Sequence, residues 1–272
     1  MKKIIQLLFL FSVVVFLYFY HNHLRLMVMK RYTVKSSQIE HVETIDEGKF
    51  EVELYKCERT FYKRWLTLSQ KVFSDKIMVI KIPIRQFKVK NIIKTAKENN
   101  QFSDDYTFYF NTLFFSNDFN PTKGLILNGE KVSGNPHKTR IGITQDNKLA
   151  CFSLNSNGQY KDIWQVPYVF FADSKVKINI RALNFRHFIA FKNNELFYIS
   201  GYKNSIISWK DVQQVMAGIG LKKVIMLDGG ASLDYEFRGD NNTYSFSSVP
   251  LRDWWFDLNS PFYLEGWVDW RV

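Results

Sequence analysis

Acidic residues are missing from the first 39 positions of the chain, although the whole sequence contains 26 of them. Basic residues in that stretch supply six of the eleven net positive charges, which leaves only five for the other 233 residues. A protein that follows a phosphate backbone needs positive charge along its folded domain. The distribution therefore argues against a nucleic-acid partner and favours a membrane surface near the N-terminus.

Cysteine, proline and glycine are scarce, with two, six and 13 copies respectively. The two cysteines, Cys57 and Cys151, lack the spacing of a zinc site and the five histidines are scattered, so the sequence predicts no metal and no other cofactor. The cysteines can pair in an oxidising compartment or remain buried thiols, and the sequence leaves both open. An aromatic content of 17% indicates a folded core.

A long uncharged segment begins directly after Lys2 and Lys3. It spans the 17 residues from Ile4 to Tyr20, which is at the short end for a membrane-spanning helix, and no small-x-small cleavage site follows it. We interpret residues 1–24 as an uncleaved signal anchor with one transmembrane helix and residues 25–48 as a polar stalk. Basic residues flank both ends of the segment, so the charges do not determine its orientation.

Beyond the stalk, the pattern is mainly that of short strands and hairpins. Polar turns at Asn128-Gly129, Asp146-Asn147 and Asn193-Asn194 each separate two strand-like segments. A short amphipathic helix is predicted over Val89–Asn100, and a second follows Ser208, where Val212, Val215, Met216 and Ile219 have helical spacing. We predict an α+β fold, in which a twisted, mainly antiparallel sheet of hairpins packs against a few helices.

The segment "KKVIMLDGGASLDYEF" raises the question of function. A buried strand over Val224–Leu227 runs directly into Asp228, Gly229 and Gly230, and Ser232 follows. Glycines allow a ligand to approach the backbone, and a strand end often hosts chemistry, but an Asp-capped turn gives the same pattern. On its own, this motif leaves both readings open.

Two residues earlier in the sequence favour a functional site at this motif over a simple turn. Asn111 ends a strand-like segment and precedes a Pro-x-x-Gly and the Asn-Gly hairpin, and Arg181 lies 47 residues before Asp228. In order and spacing, residues 106–237 resemble the phosphodiester glycosidase family, which includes exopolysaccharide-associated bacterial proteins and the domain that uncovers mannose 6-phosphate by removing N-acetylglucosamine from its phosphodiester. The positions that carry the resemblance are Asn111, Gly124, Gly129, Arg181, Asp228, Gly229, Gly230 and Ser232.

The resemblance implies that residues 49–272 form an extracytoplasmic hydrolase of glycosyl phosphodiesters, with the N-terminus in the cytoplasm. Its partners would be a carbohydrate phosphodiester or an envelope glycan, and the membrane. Asp228 would be the catalytic nucleophile, base or oxocarbenium stabiliser, and one carboxylate can suffice because the phosphate leaving group is a stable anion. The other expected contacts are Arg181, Gly229 and Gly230 with the phosphate, Asn111 and Ser232 with the sugar, and Arg140 as a second cation.

The sequence also departs from the family pattern, with Thr112 and Leu113 where small residues are usual, Ala231 for a frequent glycine and Leu233 for a serine. These departures keep open a non-catalytic glycan-binding or assembly protein on the same scaffold. A metal-dependent phosphodiesterase with Asp228 as ligand is a third possibility. A partner acid is not identified, and its candidates are Asp146, Asp234 and Glu236.

Overall fold

The computed structural model describes residues 5–14, 32–61, 75–84, 87–93, 104–112, 124–133, 140–152, 160–165, 168–175, 182–230, 233–248 and 262–268. Within these ranges the helices are α1 (residues 5–14) and α2 (Trp209–Ile219). The strands are β1 (Val34–Asp46), β2 (Glu51–Phe61), β3 (Lys76–Pro83), β4 (Phe87–Ile93), β5 (Phe108–Asn111), β6 (Leu125–Leu127), β7 (Glu130–Ser133), β8 (Arg140–Thr144), β9 (Leu149–Phe152), β10 (Tyr160–Gln165), β11 (Tyr168–Phe171), β12 (His187–Lys192), β13 (Glu195–Gly201), β14 (Lys223–Met226), β15 (Asp234–Arg238), β16 (Thr243–Ser247) and β17 (Phe262–Val268).

These strands form three sheets rather than the single sheet that the sequence predicted. A seven-stranded sheet has the order β1-β2-β3-β13-β12-β14-β11, and two five-stranded sheets have the orders β7-β6-β10-β8-β9 and β16-β15-β5-β17-β4. Among the described strands, every pairing is antiparallel. The sheet-rich, antiparallel α+β class is therefore confirmed.

The seven-stranded sheet separates two hydrophobic clusters because successive side chains of a strand point to opposite faces. On β13, Leu196 and Tyr198 face a cluster that also contains residues of both five-stranded sheets, such as Trp164. The alternate residues Phe197 and Ile199 face a second cluster, to which α2 contributes its apolar side. The sheet is thus covered on both faces, which explains why β3 and β13 read as nearly continuous apolar runs.

Local sequence determines where α2 begins and ends. Ser208 accepts a hydrogen bond from the Asp211 amide, and the Asp211 carboxylate accepts one from the Ser208 amide, so the two residues form a capping box. Gly220 ends the helix in the left-handed region, with φ of 69°. The helix then leads directly into β14.

All three predicted hairpin turns are present. Asn128 and Gly129 join β6 to β7 with φ of 49° and 81°, and Asn193 and Asn194 join β12 to β13 with φ of 52° and 63°. Two consecutive positive φ values identify type I′ turns, which match the twist of the flanking strands. The third turn, between β8 and β9, has Asn147 at φ of 64°.

Two predictions about the secondary structure were wrong. Residues 34–46, which we assigned to the polar stalk, form β1 and pair with β2 along its length. The predicted helix over residues 89–100 begins instead as β4, which pairs with β17; residues 94–100 lie outside the described part. In both cases pairing with another strand outweighs the local pattern: β1 pairs with the next strand of the chain, and β4 with one about 170 residues away.

The described part of the proposed anchor is α1, whose apolar side chains are exposed, Leu7 by 71% and Phe9 by 70%. Among the helices that the structure describes, none combines the length and the apolar character needed to cross a membrane. The remaining residues of the 17-residue apolar segment lie outside the described ranges.

Candidate functional site

The Asp228 motif lies at the end of β14, between strands β12 and β11. The strand pairing continues one residue beyond β14, because the Leu227 amide donates to the His187 carbonyl at 3.1 Å. Asp228 then leaves the sheet with only 6% of its surface exposed. A strand end thus presents one buried carboxylate, as the sequence predicted.

The two glycines after Asp228 are required by the close approach of another backbone segment. A Cβ atom on Gly229 would lie 2.7 Å from the Phe185 carbonyl oxygen, and Gly230 has a φ of +75°. The Gly230 amide donates to the same Phe185 oxygen at 2.7 Å. Since that amide is already used within the fold, the structure corrects its predicted role as a phosphate ligand.

Asn111, at the end of β5, also has a role different from the one predicted. Its side chain is fully buried, Nδ2 donates to the Asp228 carbonyl at 2.9 Å, and Oδ1 accepts from the Asp234 amide at 3.0 Å. We predicted that this amide contacts the sugar. Instead, it connects β5, the end of β14 and the start of β15 from inside the protein.

Arg186 is a candidate cation that the sequence analysis missed. It directly precedes β12, its Nη1 lies 3.7 Å from Sδ of Met226, and Gly229 packs against its Cα. Burial lowers the pKa of its guanidinium to about 10, so it remains positively charged at neutral pH. Because Met226 lies two residues before Asp228, Arg186 brings a positive charge to the same end of β14.

His187 is the second residue that the sequence did not single out. It is fully buried at the start of β12, and its ring nitrogens contact the Asp228 carbonyl and the Tyr198 hydroxyl. A lone histidine in an apolar strand gives no sequence signal. Only the pairing of β12 with β14 shows that it lies beside Asp228.

Of the other predicted ligands, Arg181 and Ser232 lie outside the described residues, and their roles remain predictions. Arg140 is half-buried at the start of β8, opposite Gln165 in a five-stranded sheet that does not contain β14. Gly124 and Gly129 are in the same part of the fold, where Gly129 forms the β6–β7 turn.

The three candidate partner acids have different surroundings. Glu236 accepts hydrogen bonds from Tyr106 and Arg238, each at 2.7 Å, so a structural ion pair occupies it. Asp146 lies in the exposed β8–β9 turn, where hydrogen bonds from Thr144 and Lys148 lower the pKa of its carboxyl. The Asn111 side chain joins the backbone amide of Asp234 to the backbone carbonyl of Asp228, so of the three candidates Asp234 has its backbone linked to the site.

In the described part of the chain, no group of three or more His, Cys, Asp or Glu side chains is arranged to hold a metal ion. Cys57 is a buried free thiol, and burial raises the pKa of this thiol.

Two solved structures match this chain, one of them with a TM-score above 0.5. The catalytic domain of zebrafish N-acetylglucosamine-1-phosphodiester alpha-N-acetylglucosaminidase, auto-inhibited by its pro-peptide, matches with a TM-score of 0.52 and 12% identity, over 87% of this chain and 89% of that one. A hypothetical protein from Synechocystis matches with a TM-score of 0.43 and 10% identity, over 87% and 68%. No protein-family model and no curated protein match the sequence. At this identity, the likeness to the glycosidase domain concerns the fold.

Proposed function

We propose that the chain is a hydrolase that cleaves glycosyl phosphodiesters, in which the phosphate is attached to the anomeric carbon of a sugar. The observation that carries the proposal is the Asp228 carboxylate at the end of β14, on a fold similar to that of a glycosidase catalytic domain. Exopolysaccharide or other envelope glycans are the proposed substrates, in line with the family that the sequence motifs resemble.

In the proposed reaction, the bond between the anomeric carbon and the bridging oxygen breaks, and the phosphate monoester leaves with the electron pair. Water finally supplies a hydroxyl to the sugar and a proton to the solution. The leaving phosphate is stable as an anion, so the site needs less help from a general acid than an ordinary glycosidase does. Asp228 acts as nucleophile, as base toward water, or as stabiliser of the oxocarbenium-like transition state.

Positive charge is needed where the phosphate leaves. Arg186 is close to the end of β14 and remains charged, so we add it to Arg181 as a phosphate ligand. Ser232 keeps its proposed contact with the sugar.

We further propose that the domain is extracytoplasmic and held at the membrane by its N-terminal segment. The exposed apolar surface of α1, which follows Lys2 and Lys3 in sequence, supports this location. Because β1 is part of the seven-stranded sheet, a truncated protein that begins after residue 48 would lose an edge strand. Functional assays should therefore use the full chain.

A non-catalytic glycan-binding or assembly protein is the second candidate. The small exposure of Asp228 favours it, because a substrate must reach a catalytic carboxylate directly. Such a protein would retain glycan without releasing sugar, and the following experiment separates the two functions.

The test is the release of reducing sugar from a panel of sugar 1-phosphodiesters by the full chain and its Asp228→Asn variant. We expect release by the parent and a loss of about 10³-fold or more in the variant, as for removal of a catalytic group. Asp105→Asn, the same substitution at an exposed position ahead of β5, should retain the parent rate. Equal rates for parent and Asp228→Asn would contradict the assignment, and glycan retention without release would support the second candidate.

A further inference from the structure

The hydrogen bonds of His187 determine which of its nitrogens carries the proton. Nε2 contacts the carbonyl oxygen of Asp228, which can only accept, so Nε2 must be the donor. Nδ1 lies 3.1 Å from the hydroxyl of Tyr198. A neutral imidazole has one N–H, so Nδ1 accepts the proton of that hydroxyl. The hydrogen bonds therefore run in one direction: the Tyr198 hydroxyl donates to His187, and His187 donates to the Asp228 carbonyl.

The surroundings of the ring favour this neutral form. The groups that face it are Tyr198 from β13, Phe110 from β5 at a ring distance of 6.4 Å, and the Asp228 carbonyl. Burial lowers the pKa of His187 to about 3, although the bond to the carbonyl opposes this shift. His187 is therefore neutral over the physiological pH range.

The backbone of Asp228 is held on both sides. Its carbonyl oxygen accepts one hydrogen bond from Asn111 and one from His187, which uses both lone pairs. Its amide donates to the carbonyl of Thr112 at 3.2 Å. These partners come from β12 and from the end of β5, on two different sheets, so the peptide groups on either side of the Asp228 Cα are fixed.

We propose that His187 is a positioning residue for the reaction: as the Nε2–H tautomer that the Asp228 carbonyl requires, it acts with Asn111 to hold the Asp228 backbone where the carboxylate meets the substrate. This inference rests on the proposed function. The ring bonds the carbonyl rather than the carboxylate, so it controls where the carboxylate lies and takes no proton from it. A misplacement of about 1 Å can cost about 10²-fold in rate, which sets the size of the expected effect.

The kinetic test compares His187→Leu with His187→Gln on a sugar 1-phosphodiester. Leucine removes the donor, whereas the glutamine amide can donate to the Asp228 carbonyl and accept from Tyr198. We expect kcat to fall about 10- to 100-fold in His187→Leu, with KM within about twofold of the parent because no substrate contact is lost. Glutamine should restore most of kcat, and circular dichroism and thermal unfolding identify the folded variants.

A second measurement needs no activity. Nitrogen NMR of the histidine side chains distinguishes protonated from unprotonated ring nitrogens. We expect His187 to show protonated Nε2 and unprotonated Nδ1 with no change between about pH 5 and 8. Tyr198→Phe, which keeps the ring but removes the hydroxyl, should shift the Nδ1 signal and lower kcat less than His187→Leu. This variant also keeps the proposal testable if His187→Leu does not fold.

The outcomes are distinguishable. An unchanged kcat in folded His187→Leu, or a rise in KM alone, would overturn the positioning role. An Nδ1–H tautomer, or a titration near the ordinary histidine pKa, would overturn the bonding scheme. If the parent cleaves no substrate, the proposed function fails and the positioning role fails with it, while the NMR result still decides whether His187 holds the Asp228 backbone.

Discussion

At the scale of single residues, buried polar side chains in this fold connect loops that the sheets alone would leave separate. Glu47, between β1 and β2, is fully buried. Its carboxylate accepts hydrogen bonds from Tyr244 at 2.6 Å, from the side chain of Asn242 at 2.7 Å, and from the amides of Asn241 and Asn242 at 3.0 Å. It therefore fixes the β15–β16 turn against the β1–β2 turn.

We expect Glu47→Gln to lower the free energy of unfolding by about 1 to 3 kcal/mol, because the NH2 group of glutamine cannot accept hydrogen bonds from Tyr244, Asn241 and Asn242. Thermal or denaturant unfolding of the two proteins measures the difference. Glu58→Gln is the matched control, since this side chain is 67% exposed and pairs with exposed Lys56. A Glu47→Gln protein as stable as the control would contradict the role of the carboxylate.

The same carboxylate gives a pH dependence. Burial alone would raise the pKa of Glu47, but the hydrogen bonds from Tyr244, Asn242 and the backbone amides outweigh it and lower the pKa below 4.5. Its contribution to stability is therefore complete above the ordinary pKa and is lost as the pH falls through the lowered value. The stability difference between parent and Glu47→Gln should be constant near neutral pH and shrink below about pH 4.5.

The site shows which single residues a sequence can reveal. Asp228 and its glycines stand out because a carboxylate and two flexible residues interrupt an apolar strand. The position of Asn111 was also predictable, but the direction of its amide was not, since that depends on the pairing of β15 with β5. Arg186 and His187 are ordinary members of a strand pattern, and only the approach of residues 227–230 to residues 185–187 gives them a role.

At the scale of elements, the end of α2 shows how a glycine sets a boundary. Gly220 has a φ of 69°, and its amide donates to the Met216 carbonyl. Lys192 strengthens this end, because its Nζ donates to the Ile219 carbonyl at 2.7 Å. A positive charge at a helix C-terminus is also favourable toward the helix dipole.

We predict that Gly220→Ala destabilises the protein by about 1 to 2 kcal/mol, because a Cβ is unfavourable in the left-handed region. Gly218→Ala is the control within the same helix: a Cβ there meets nothing within 4 Å, so alanine should be neutral or stabilise by up to about 1 kcal/mol. In urea unfolding, a loss of stability in Gly220→Ala without a loss in Gly218→Ala would support Gly220 as the helix boundary. Equal changes in the free energy of unfolding would contradict it.

Elements with local signals were predictable, whereas those defined by their partner strand were not. The turns at Asn128-Gly129 and Asn193-Asn194 and the capping box of Ser208 and Asp211 are encoded within a few residues. Strand β1 is mostly polar, with one side exposed to solvent, and so resembles a stalk until β2 is seen beside it. Strand β4 has apolar residues that also fit a helical spacing, and its pairing with β17 depends on a segment about 170 residues away.

At the scale of the whole molecule, a buried ionic network joins the outer strands of the large sheet to α2. Arg59 on β2 donates to Asp75 at 2.6 Å, to Asp211 at 3.0 Å and to the Ile206 carbonyl at 3.0 Å. The three charged side chains are at most 1% exposed. Asp211 also belongs to the capping box and accepts from Ser37 on β1, so one cluster connects β1, β2, the start of β3 and the helix.

Such a network is costly to bury but more costly to break, because removing one partner leaves the other charges without compensation in a site that excludes water. Arg59→Met retains much of the side-chain volume but removes the positive charge and its hydrogen-bond donors, which leaves Asp75 and Asp211 buried together. We expect the free energy of unfolding to fall by about 3 to 5 kcal/mol, seen as a lower denaturant midpoint with an unchanged slope. Lys56→Met, on the same strand in an exposed ion pair, should change it by less than about 1 kcal/mol. A similar small change for Arg59→Met would mean that packing, and not the network, holds α2 to the sheet.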